Sequence, residues 1–295
     1  MKSTNPVFSR WGAARFAAPA EASTRRPVHT PAGGPPAAGP RTDGAPAATP
    51  VGTLAPDAPT VPRAAPAAPA MTLDDVVVRT ATTLGTVVLT AVLSWLLLPV
   101  DEADLGRSCG IALGAAVVAF ALAMLQAVRR LPSPALILGY AAFEGVFLGV
   151  ISGATSTYFA PGAVVQTVLG TFAVSAAVLV AHRMRWIRVT RRFTGFLASA
   201  AAGFLLLLLA DLLFSALGAG HDLGVHCGVL GLLFGAVGVL LGAGFLTLDL
   251  RQVGDALAEG VPREQAWLAA FGLTTTLVWI YLEVLQVLTV LDGDD

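Results

Sequence analysis

Beyond Met71 the chain alternates long apolar runs with short polar breaks. Seven runs stand out, at residues 76–100, 108–128, 134–156, 162–182, 193–217, 225–248 and 266–290. At 1.5 Å rise per residue each is long enough to cross a hydrocarbon core of about 30 Å. In lipid the backbone must satisfy its own hydrogen bonds, so the runs predict helices rather than strands. The expected fold is an all-α membrane protein of seven transmembrane helices, residues 71–295, preceded by a tail at residues 1–70. Seven crossings put the two termini on opposite sides.

The tail has a different pattern. Ala, Pro, Gly and Thr dominate it, and it holds most of the prolines, from Pro6 to Pro69. Its basic residues are Lys2, Arg10, Arg15, Arg25, Arg26, Arg41 and Arg63, against the acids Glu21, Asp43 and Asp57. Such a stretch buries too little apolar surface to offset its ordering entropy, so a disordered, net-positive cytoplasmic tail is expected. It lacks the apolar run of a secretory signal, so no cleavage is expected.

Composition supports the membrane reading. Hydrophobic residues make up 55% of the 295 residues and charged ones 13%, about half the charged share of a soluble domain. The mean hydropathy is +0.74. A net charge of −1 argues against a nucleic-acid partner, because no basic surface offsets phosphate charge. Two cysteines exclude a disulfide scaffold and a cysteine-rich metal site.

Arginine placement predicts the orientation. Arg129 and Arg130 lie between the second and third spans. Arg183, Arg185, Arg188, Arg191 and Arg192 lie between the fourth and fifth. The alternate breaks carry Asp101, Glu102, Asp104 and Arg107, then no charge, then His221 and Asp222. The positive-inside rule places the tail and both arginine loops in the cytoplasm and the C-terminus outside a plasma membrane. Anionic lipid is a second expected partner of the five-arginine loop.

Within the spans, small residues and acids break the apolar pattern. Gly228, Gly231, Gly235, Gly238 and Gly242 recur at steps of three and four and share one face of the sixth helix. Asp249 continues that face two turns on, so it is expected to point at a partner helix rather than at lipid. Gly145, Gly149, Ser152 and Ser156 give the third helix a weaker version. The acids Glu144, Asp211, Asp249 and Glu283 lie in helices three, five, six and seven. An acid at the bilayer centre costs about 2.5 kcal/mol or more, so each should face the interior.

The rise per residue puts Asp249 at the inner boundary, Glu144 near the midplane, and Asp211 and Glu283 in the outer half. Such a ladder of acids without deep bases favours cations. In helix seven Gly272, Thr275, Thr276, Trp279, Glu283 and Gln286 form a polar stripe, which predicts a central helix or one lining water.

Weaker features complete the survey. His221, Asp222, His226 and Cys227 lack a standard zinc spacing. Cys109 and Cys227 both lie near outer helix ends and would bridge only if helices two and six adjoin there. Phosphate-loop, zincin and nucleophile-elbow signatures are missing, so no enzyme and no cofactor are expected.

Several of these residues carry a likeness. The run from Tyr140 through Glu144 to Ser152 (YAAFEGVFLGVIS) resembles the third-helix motif of the Bax inhibitor family, in its bacterial YccA-like branch. Residues 248–252 (LDLRQ) resemble that family's end of helix six, and residues 280–283 (IYLE) its helix-seven motif. Residues 1–10 (MKSTNPVFSR) and 71–80 (MTLDDVVVRT) resemble one bacterial subgroup.

The resemblance implies a fold with helix seven central and a pH-sensitive calcium leak in the bacterial inner membrane. It implies a pH gate in which Asp249 is one sensing acid, Glu283 the second, and Arg129 or Arg130 the latch. Glu144, Glu283 and Asp211 would line the ion path, and Asp249 with Glu283 would hold calcium transiently. Depth works against the acid pair. Glu283 lies about 25 Å above the start of helix seven, whereas Asp249 lies at the inner boundary. Either helix seven starts deeper, or the pair is absent. The other function class is a non-conducting regulator that binds a membrane protein such as a quality-control protease through the tail.

Overall fold

The computed structural model describes residues 69–101, 103–129, 131–184, 189–216 and 228–293. Seven long helices run in chain order: α1 (Leu73–Leu97), α2 (Leu105–Val128), α3 (Pro134–Tyr158), α4 (Ala163–Arg183), α5 (Arg191–Ala216), α6 (Gly228–Glu259) and α7 (Ala266–Gly293). A 3-10 turn, Arg263–Gln265, lies between the last two. All seven are long and apolar enough to cross a membrane, so this is an integral membrane protein. Val88, Leu96, Phe120, Leu169, Leu206, Leu230 and many other large apolar side chains face outward, as a lipid-facing surface requires. Hydroxyls on the helices are quenched locally. Thr82, Thr86, Thr171, Ser175 and Ser199 each donate to the carbonyl four residues back.

The expected central helix is central. The apolar window of α7 is 67% buried, against at most 44% for any other helix. One cluster joins Ala266, Ala269, Leu273 and Ile280 of α7 to Met71 and Val76, to Val178 of α4, and to Leu246, Val253 and Ala256 of α6. A second sets Val278 against Val87 of α1 and Ala141 and Leu148 of α3. A third sets Phe271 against Ala119 of α2 and Ile137 and Tyr140 of α3. On α7's remaining side Trp279 packs with Phe204 of α5, which stacks on Phe234 of α6 at 4.1 Å.

Helix six is longer than its apolar run. The expected span closes at residue 248, but α6 continues to Glu259. Arg251, Asp255 and Glu259 end the hydropathy signal without breaking a helix, because all are tolerated in a helix interior. The stop comes at Gly260, whose φ of 63° is left-handed, followed by Pro262. Asp249 therefore lies ten residues before the helix end.

Pro69 and Ala70 pair with the turn between α6 and α7: Met71 N–H donates to Val261 O at 2.8 Å, and Arg263 N–H to Pro69 O at 2.9 Å. Residues 1–68, with their basic side chains, lie outside the described residues.

Candidate functional site

The glycines of α6 set the geometry of its contact with α7. A methyl group added at Gly235 would sit 2.6 Å from Val287 Cγ2. One added at Gly242 would sit 2.6 Å from Ile280 Cγ1 and 3.1 Å from Trp279 Cδ1. One at Gly238 would strike the carboxyl group of Glu283. The glycine face is thus a floor on which α7 side chains lie directly. Trp279 anchors there by donating its indole N–H to Gly238 O at 3.1 Å.

Asp249 points at α7, as its place on the glycine face predicts. It is 1% exposed, and Thr276 Oγ1 donates to its Oδ2 at 2.6 Å. Glu283 is buried as well, and its Oε2 has no hydrogen-bond partner among the described residues. Thr276 and Glu283 are seven residues apart on one helix, about 10 Å along the axis. Asp249 and Glu283 therefore sit at separate levels of the α6 to α7 contact. Among the described residues no three His, Cys, Asp or Glu side chains group to hold a metal ion.

The other acids lie on α3 and α5. Glu144 is half-buried on α3, one turn beyond Tyr140, whose ring meets Phe271 of α7 edge-on at 5.1 Å. Asp211 is buried near the end of α5. The polar stripe on α7 is real but divided. Thr276, Trp279 and Glu283 address α6, whereas Thr275 is exposed although its helix is central. Arg129 is exposed at the C-cap of α2, and Arg130 lies outside the described residues. So do His221, Asp222, His226 and Cys227, while Cys109 is a free, exposed thiol.

A family model described as Bax inhibitor 1 like matches residues 5–293. The chain belongs to the Bax inhibitor family. No curated protein matches it. The match runs from before the described segment to the last turn of α7, so the whole helical bundle is that of a Bax inhibitor family member.

Three polar contacts of this Bax inhibitor-like bundle were missed from the sequence. Thr83 and Thr274, both fully buried, share a hydrogen bond of 2.7 Å between α1 and α7. Ser152 and Tyr281 share another of 2.7 Å between α3 and α7. Both residues of the second pair stand in the family motifs, but no spacing rule links positions 129 residues apart. The third is an ion pair between Arg263 and Asp75 at 2.6 Å.

Proposed function

We propose that this Bax inhibitor family protein is a pH-sensitive cation leak, with calcium as the permeant ion. The observation that supports it most is Asp249, a fully buried acid that accepts a hydrogen bond from Thr276 across the α6 to α7 contact. Gaining or losing its proton changes the charge of that contact at the point where two helices touch. A buried carboxyl oxygen without a donor is costly when ionised. Glu283 Oε2 is such an atom, and it offers a passing cation a ligand. Glu144 on α3 and Asp211 on α5 extend the series of acids.

In this reading the gate has one acid, not two. Protonation of Asp249 weakens its hold on an arginine latch at the end of α2, Arg129 or Arg130, and lets α6 shift against α7. Glu283 serves the path rather than the sensor. The positive-inside rule supports a cytoplasmic N-terminus and an outer C-terminus, and the family likeness supports a bacterial inner membrane as the site.

The test is calcium entry into liposomes holding the purified protein, at about pH 6 and pH 8. The leak reading expects flux that differs between the two. A folded protein with no flux at either pH would overturn it and favour the non-conducting regulator, whose partner would be a membrane protein such as a quality-control protease.

A further inference from the structure

Before α1 the chain does not simply enter the bundle; it crosses the turn between α6 and α7. Ala70 and Pro262 form an antiparallel bridge, flanked by backbone bonds from Met71 to Val261 and from Arg263 to Pro69. Met71 is buried beside Val76, Val253, Ala256 and Ala266. Thr72 caps α1 in a capping box with Asp75, and Met71 packing near Val76 completes a hydrophobic staple. Asp75 reaches past its own helix to Arg263 at 2.6 Å. The Arg79 guanidinium donates to Arg263 O and lies 5.3 Å over the Trp267 ring, in the first turn of α7.

We propose that residues 69–72 form a releasable strap through which the N-terminal segment bears on the start of α7. Two features make it releasable. Arg263 is 58% exposed, so its ion pair is solvent-screened and weak. Asp75 keeps its capping bonds to Thr72 when Arg263 leaves, so α1 stays capped. Two features make it matter. The strap grips the short turn that joins α6, carrying Asp249, to α7, carrying Thr276. It is also where everything before Pro69 is covalently attached to the bundle. A load or a partner on the N-terminal segment therefore reaches the α6 to α7 contact through residues 69–72. Its effect on conduction rests on the leak reading above; its effect on α7 does not.

The experiment is a reversible lock in the full-length protein. Ala70→Cys with Pro262→Cys, in a Cys109→Ser, Cys227→Ser background, places two thiols on directly opposed positions. Antiparallel partners lie roughly 4.5–5.5 Å apart, within disulfide reach. Hydrogen exchange over residues 263–276 is read in the same sample oxidised and reduced. It is read again after a specific protease site inserted between Arg63 and Pro66 is cut in the folded protein. The strap predicts that the disulfide forms and that oxidation slows exchange at least about threefold. It predicts that cutting speeds exchange in the reduced form only.

Failure of the disulfide to form, or exchange indifferent to both oxidation and cutting, would overturn the strap. Calcium flux is recorded alongside. Flux that changes with the lock supports coupling to the gate. Flux absent from every form while exchange still responds removes the leak reading and leaves the strap standing.

Discussion

The glycines of α3 and those of α6 both bring a neighbouring helix close, and they differ in what they admit. On α3, Gly145 and Gly149 face α1, and a methyl group at either would run into its backbone, at Val87 O or Ala91 O. Ser94 fixes the contact by donating to Val146 O at 2.9 Å. There the missing side chains bring backbone against backbone and leave no room for anything else. On α6, Gly238 and Gly242 face side chains instead: the Glu283 carboxyl, Ile280 and Trp279. There the missing side chains make space for a buried acid and its neighbours. One sequence pattern thus yields a closed structural joint in α1 and α3 and a contact that seats a buried acid in α6 and α7.

The largest effect should come from the closed joint. Gly149→Ala places a methyl group against Ala91 O and 2.9 Å from Ser94 Cβ, where backbone cannot yield. A loss of about 3 kcal/mol, at the upper end of overpacking costs, is expected in a denaturation titration in detergent. Gly238→Ala should cost less, about 1–2 kcal/mol, because the obstructing atoms belong to the flexible end of Glu283. Combining it with Glu283→Ala should recover most of that loss, and strict additivity of the two would show that the contact is not as described. Thr276→Val keeps the shape but removes the donor to Asp249, a loss of about 1–3 kcal/mol for a buried acid. The altered pH dependence of flux should be its clearer readout. Arg263→Gln comes last, at under about 1 kcal/mol, since its ion pair is largely exposed.

How much of this was legible in the chain follows from what each signal measures. Hydropathy marks where side chains prefer lipid, so all seven helices were readable, and α3 and α4 began within a residue of their expected starts. It does not mark where a helix ends, so the last eleven residues of α6 went unseen until Gly260 and Pro262 stopped it. Glycine spacing gave the direction of Asp249 correctly, because a helical face is a local property. The partner of Asp249 was not local. Family likeness pointed to Glu283, and nothing local pointed to Thr276, a member of the same polar stripe that donates to Asp249. The strap was illegible for the same reason: nothing local pairs Asp75 with a turn 188 residues on.

The most direct test of the central claim is the pH profile of calcium flux for Asp249→Asn beside wild type in the same vesicles. A single-acid gate predicts that Asn, which stays neutral and can still accept from Thr276, flattens the profile while the protein remains folded. A variant that keeps the full wild-type pH dependence would contradict the claim that Asp249 is the sensor.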